Sequence, residues 1–378
     1  MKFTSIALAG AAVGLAQASP VTKRAISDAD ILNYALTLEH LEAAFYEEGL
    51  KNYTQADFVN AGLKDPFYAN LQEVGKDEQS HEAFLTSALK GMFYELDSDD
   101  LTLATFTHQY LAAGASPVAR CNYSFPATDA KSFAGLASVL EGVGVSAYLG
   151  AAASIMNETY LTAAGSILTV EARHSAYLRA ALGEAPSAQP FDNPLDFNEV
   201  YTLAAPFITS CPSSNGKLPV KAFPTLTMTS TSTAMTGSQV QLMAGAGMNS
   251  SDASGLFAAF ITVTGPVWAP VTSSGSGKYT VTIPKGIAGQ SYVVLTKGNK
   301  QATDDNIVAG PAIIEVGQKM GAMGSMTTPT SSMTGPMSST SPSKSASSTP
   351  MFNGANDKKV GLAGVTGAGL FAAVAMLV

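Results

Sequence analysis

Two stretches of the chain set a carboxylate and an imidazole three residues apart inside an apolar helical pattern. DEQSHEAFLTSAL carries Glu78 and His81, and VEARHSAYLRAAL carries Glu171 and His174. In the first, Phe67, Leu71, Val74, Glu78, His81, Leu85 and Ala88 follow steps of 4, 3, 4, 3, 4, 3. Tyr160, Ala164, Ile167, Glu171, His174, Leu178 and Ala181 repeat those steps in the second. That spacing keeps all seven residues on one buried helix face. A carboxylate and an imidazole on such a face are metal ligands in waiting, suited to iron or manganese over a soft-ligand metal. A lone Glu-x-x-His is more often a solvent-side pair. Two copies sharing E-x-x-H-x-A-(F/Y)-L-x-x-A-L are an internal repeat.

Two further glutamates fit the same symmetry. Glu39 is followed seven residues later by Tyr46, and Glu141 by Tyr148. The order along the chain is then Glu, Glu-x-x-His, Glu, Glu-x-x-His. Four such carboxylates carry about −4, which two divalent ions would balance; left bare and buried they would cost several kcal/mol each. Glu42 lies on the same face as Glu39, but Gly144 takes the related place near Glu141. Glu42 is therefore an extra ligand, a proton relay or a displaced ligand. Tyr46 and Tyr148 are expected to support the ligands or pack beside them, with a redox role as the alternative. His108 lies outside the repeat and reads as an ordinary surface or core histidine.

Four helices must position these groups. The first is expected from about Ser27 to Leu50, with Ser27 or Asp28 as its cap. A loop from Asn52 to Asp65 leads to the second, which starts at Pro66 and stops at Gly91. Residues 92–128 read as a long crossover with a short helix at 99–113. The third helix spans about Asp129 to Ser154, and after a turn near Asn157 the fourth closes at Gly183. Gly142, Gly144 and Gly150 cost the third helix propensity; close packing or room beside the metals would explain them. Short, long and short connections describe a four-helix bundle of ferritin-like connectivity, whose dinuclear members take one Glu from each of two helices and Glu-x-x-His from the other two.

On these motifs, residues 27–183 resemble the fungal secreted ferritin-like-domain family, which includes stress-induced and late-sexual-development proteins. The bundle is also similar to bacterioferritin and rubrerythrin, where E-x6-Y and E-x-x-H recur. The resemblance implies a site that oxidises Fe(II) or reduces peroxide. It implies two iron or two manganese ions as cofactors, with dioxygen or hydrogen peroxide as partner. No rubredoxin-like cysteine pairs are present, so a rubrerythrin-type electron relay is not expected.

The rest of the chain reads as targeting and display. The 378 residues carry a net charge of −8 and 13% charged residues, which argues against a nucleic-acid partner. Residues 1–18 read as a secretory signal and 19–24 as a short pro-segment ending in Lys23-Arg24. Asn52, Asn122, Asn157 and Asn249 are sequons. Cys121 and Cys211 fit one disulfide in an oxidising compartment, the alternative being two unpaired buried thiols. The bundle is assigned to 25–185, a linker to 186–216 and a small antiparallel β-sandwich to 217–318. Residues 319–353 form a Ser/Thr/Pro-rich stalk. Residues 354–378 have the layout of a GPI-attachment signal, with Asn353 as the attachment residue. The fold class is thus α+β multidomain. The expected protein is secreted and held at the plasma membrane by a GPI anchor or in the cell wall, with cell-wall glucan as a further partner. Two functions compete: a di-metal oxidoreductase or metal-handling protein in stress or development, and a structural or adhesive protein using a metal-free bundle as scaffold.

Overall fold

The computed structural model describes residues 26–91, 93–95, 104–106, 115–230, 234–248 and 254–317. The expected signal, pro-segment, stalk and anchor signal fall outside the described residues, as do His108, Asn249 and Asn353.

Among the described residues, six α-helices form in chain order. Helix α1, Asp28–Asn52, opens with a reciprocal cap: Ser27 Oγ accepts from Asp30 N–H at 3.2 Å, and the Asp30 carboxylate accepts from Ser27 N–H at 3.0 Å. The next segment, expected as plain loop, contains the short helix α2, Gln55–Asn60, which buries Phe58. Helix α3, Phe67–Lys90, ends at Gly91, whose φ of 68° is the left-handed geometry that stops helices. Helix α4, Ala130–Ala151, is capped by Asp129, and α5, Glu158–Ala181, by the side-chain oxygen of Asn157. The sequons Asn52 and Asn122 are exposed, and Asn157 is half-buried. Helix α1 packs along α3 and α4 along α5, so the four long helices form two hairpins joined by the crossover. Helix α4 is apolar enough over 130–154 to pass for a membrane span, and here it is a core helix of the bundle.

The crossover corrects one expectation. Ala104–Phe106 is not helical; it is strand β2, paired antiparallel with β1, Phe93–Glu95. Thr102, Thr105 and Thr107 favour strand over helix. Further on, β3, Asn122–Tyr123, pairs with β4, Ile208–Ser210, beside the disulfide between Cys121 and Cys211. With a sequence separation of 90, that bond contributes roughly 4–5 kcal/mol in the chain-entropy view.

The segment assigned as linker folds onto the bundle. It holds helix α6, Phe197–Ala204, capped by Asp196 and Glu199. Its Leu195 N–H donates to Ser146 O at 3.1 Å, and Phe197 meets Tyr34 edge-on at 5.0 Å. The surrounding prolines and polar residues hide this short helix from a composition reading.

Seven strands complete the described chain: β5 Leu226–Met228, β6 Gln239–Ala244, β7 Leu256–Phe260, β8 Val267–Gly275, β9 Lys278–Thr282, β10 Gly289–Lys297 and β11 Ile307–Val316. They form one antiparallel sheet in the order β11-β10-β7-β8-β9-β6-β5. The sheet curls back on itself: Gly310 N–H donates to Pro224 O just before β5, and Ala234 bridges Val316. The module is therefore barrel-like, around a core that includes Leu242, Phe260, Val281, Val293 and Ile314. Strand β6 alternates buried Val240 and Leu242 with exposed Gln239 and Gln241. Strand β10 does not alternate, because its outer face is covered by the bundle: Tyr292 packs with Val143, Ala147 and Leu195.

Candidate metal centre

The seven titratable residues singled out by spacing converge in the middle of the bundle. Helix α1 supplies Glu39 and Glu42, α3 Glu78 and His81, α4 Glu141, and α5 Glu171 and His174. All are buried, and Glu78, Glu141 and Glu171 are 0% exposed. Their ligand atoms fall into two overlapping groups, one of Glu39, Glu78, His81 and Glu171, the other of Glu78, Glu141, Glu171 and His174. Within each group the atoms lie within 4.8 Å of one another, and both groups contain Glu78 and Glu171.

Glu78 divides its oxygens between the two halves. Oε2 lies 3.2 Å from His81 Nδ1 and Oε1 3.0 Å from His174 Nδ1. His81 Nδ1 also faces Glu171 Oε1 at 3.3 Å and Glu39 Oε2 at 3.4 Å, while His174 Nδ1 faces Glu141 Oε2 at 3.2 Å. One imidazole nitrogen carries at most one proton and cannot serve three carboxylates. Both Glu171 oxygens, Glu39 Oε2 and Glu78 Oε1 are buried without a hydrogen-bond donor in line. Buried acceptors normally have partners. Four oxygens without one, set around two imidazole nitrogens, are a donor set for cations. This is the fit expected of residues that could hold metal ions.

The electrostatics agree. Burial raises Glu42 and Glu171 well above the ordinary carboxylate range, and neighbouring carboxylates push the same way. Burial is also the main cause that brings Glu39 up to about 7. Glu78 resists burial because both imidazoles face it, and it is held down to about 2. Burial disfavours a charged His174, but Glu141 and Glu78 outweigh it and push the imidazole up to about 11. The pocket concentrates negative charge that needs protons or cations to stand.

A family match decides what kind of bundle this is. Residues 27–184 match the family described as ferritin-like domain. The bundle is a ferritin-like domain. Over 214 residues the chain is 24% identical to protein rds1 of Schizosaccharomyces pombe, covering 56% of this chain and 47% of the relative. The chain thus spans about half the length of the curated relative it matches. The family match lies on the bundle, and the relative that the chain resembles is fungal.

The ferritin-like domain holds its carboxylates by exchange across the symmetry of the repeat. Tyr46 on α1 donates to Glu141 Oε1 on α4, and Tyr148 on α4 donates to Glu39 Oε1 on α1. The three glycines of α4 resolve into separate roles. A Cβ at Gly144 would sit 2.6 Å from Glu171 Oε2 and 3.2 Å from Glu42 Oε1, so Gly144 makes room at the centre. Gly142 admits Gln290 from β10, and Gly150 admits the Leu195 carbonyl.

Two supporting groups escaped the sequence reading. Asp77 Oδ2 lies 3.1 Å from His174 Nε2, which fixes the ring with Nδ1 turned toward the carboxylates. Its counterpart in the repeat is Val170, so comparison of the two copies passes over it. His40 bridges Glu82 Oε1 and Val118 O, each at 2.9 Å, while Arg120 donates to Glu82 and to Glu47 at 2.8 Å. This clamp ties the crossover to α1 and α3. Its only signal is that His40 and Glu82 directly follow Glu39 and His81.

Proposed function

We propose that the ferritin-like domain holds two divalent ions, iron or manganese, and serves redox chemistry with dioxygen or hydrogen peroxide. The observation that carries this reading is Glu78, whose two oxygens are turned to His81 and His174 separately. Glu78 and Glu171 would bridge the two positions. Glu39 and His81 would complete one, Glu141 and His174 the other, with Glu42 a further oxygen donor beside Glu171. When bound, iron or manganese supplies one-electron chemistry toward oxygen species. The chain's own residues orient and insulate. Tyr46 and Tyr148 hold their protons against Glu141 and Glu39, leaving the other oxygen of each carboxylate toward the histidines. Asp77 keeps a proton on His174 Nε2. A mostly apolar cavity lined by Leu32, Leu38, Leu85 and Tyr160, with Asp28 also on its lining, reaches Tyr148.

The paired cysteines support work in an oxidising compartment, and the expected leader, sequons and anchor signal support display at the cell surface. A role in stress or development belongs to the same proposal. Elemental analysis of the purified chain beside a Glu78→Ala, Glu171→Ala double variant tests it. About two iron or manganese ions per chain, lost in the variant, is the result expected of a paired carboxylate centre. A folded chain that refuses both metals on reconstitution would overturn the redox reading and leave the bundle as scaffold for a structural or adhesive surface protein.

A further inference from the structure

Behind the metal centre, between the ferritin-like domain and the β module, lies a cavity of about 340 Å³. Gly142, Ala172 and Ser175 line it, and each follows a candidate ligand by one residue, so the cavity backs onto α4 and α5 at the level of Glu141, Glu171 and His174. Residues 186–193 form its outer rim and the start of β10 its far wall. The volume is within the range of about 300–1,000 Å³ usual for small-molecule sites.

We propose that this cavity binds a neutral, polyhydroxylated ring: a sugar residue. The lining selects that chemistry in three ways. First, its charges are spent or exposed. Arg179 is held in a two-pronged pair with Glu315 at 2.8 Å per bond and donates Nε–H to Ala185 O at 2.9 Å, and Asp192 stands in solvent. The cation is thus answered within the chain, and the exposed Asp192 on the rim disfavours an anionic ligand. Second, the remaining polar groups are amides and hydroxyls. Asn193 is 5% exposed, and its side chain makes one long hydrogen bond, 3.5 Å from Nδ2 to Gln290 O. A buried amide so poorly used is a group held for a ligand's hydroxyls. Gln290 lies beside it, its amide already donating to Val139 O at 3.1 Å and to Tyr292 OH at 2.9 Å. Third, Phe191 lines the same cavity and is 63% exposed, with Pro190 next to it. A bare aromatic ring beside convergent amides and hydroxyls offers a face to the C–H side of a sugar while the polar groups take its hydroxyls. None of this depends on metal in the bundle.

The test is calorimetric titration of the full chain, with its own glycans removed, against glucose, mannose, N-acetylglucosamine and a β-linked glucose oligosaccharide. Galacturonate serves as the charged comparator. At least one neutral sugar is expected to bind saturably. Phe191→Ala is expected to weaken it about tenfold with the thermal midpoint unchanged, since the ring is at the surface. Ala176→Trp, which fills the cavity from α5, should abolish binding. Binding of the oligosaccharide alone would support the site and identify a polymer as the source; binding of monosaccharides as tightly would support it and identify free sugar. No saturable binding of any sugar, binding untouched by either variant, or galacturonate binding as tightly as the neutral sugars would overturn the proposal.

Discussion

The Tyr46 hydroxyl on α1 donates to the Glu141 carboxylate on α4, and 102 residues after Tyr46 the same bond is made in reverse by Tyr148 on α4 to Glu39 on α1. Each hairpin therefore orients a carboxylate belonging to the other. Tyr46→Phe removes one donor from a buried carboxylate without changing the packing shape. A hydrogen bond to a charged group is worth about 1.5–3 kcal/mol, and loss of a ligand's orienting partner costs roughly 10–100-fold in metal affinity. Tyr46→Phe and Tyr148→Phe are expected to weaken iron or manganese binding by that factor, and by similar amounts, in equilibrium titration. Full affinity in both would mean the hydroxyls only pack.

Gly144→Ala separates helix propensity from site geometry. An alanine in mid-helix is ordinarily about 1 kcal/mol better than glycine. Here its Cβ would stand 2.6 Å from Glu171 Oε2, so the Glu171 carboxylate must move. The expected result is a thermal midpoint equal to or above the parent's with metal content reduced by at least half. Unchanged metal content would show that Glu171 has room to spare.

Asp77 acts on one half of the centre alone. Asp77→Ala frees the His174 ring and should weaken one of two metal positions roughly 10–100-fold, making a titration visibly biphasic. Asp77→Asn, which can still accept from Nε2–H, should recover part of the loss. A uniform decline at both positions would assign Asp77 to general stability instead.

A pH dependence follows from Glu199 in the first turn of α6. Burial, with the Asp196 carboxylate beside it, pushes Glu199 up to about 8. The folded chain then holds a proton that the unfolded chain releases near pH 4–5. This contribution to stability is full at low pH and is lost as pH rises toward 8, at up to about 1.4 kcal/mol per pH unit. Glu199→Gln keeps an acceptor for Asp196 N–H and removes the titration. Its thermal midpoint relative to the parent should therefore climb between about pH 5 and 8; parallel curves would refute the shift.

The buried cluster was legible because its members obey one rule. Glu78, His81, Glu171 and His174 sit at seam positions of long, regular helices, where spacing alone decides facing, and Glu39 and Glu141 follow by symmetry. Groups that break the symmetry were not legible. Asp77 has Val170 as its counterpart, and the His40, Glu82 and Arg120 clamp joins elements whose approach only the folded crossover sets. The strand at Ala104–Phe106 reads as helix in the sequence because a short apolar run carries no decisive period. Helix α6 is too short for periodicity to outweigh its prolines. For the β module, alternation in β6 was plain, but nothing in the sequence announces that β10 and β11 are covered on both faces.

Tyr292 has one more consequence. Its hydroxyl donates to Gly142 O at 2.9 Å and accepts from Ser146 Oγ at 2.9 Å, and its ring fills the outer flank of α4. The inheritance unit ending at residue 184 is thus not the mechanical unit. A chain cut there would leave Val143, Ala147 and Tyr34 without their cover of Leu195, Val200 and Tyr292. The helix that carries Glu141 is braced from outside by a strand more than a hundred residues further along the chain.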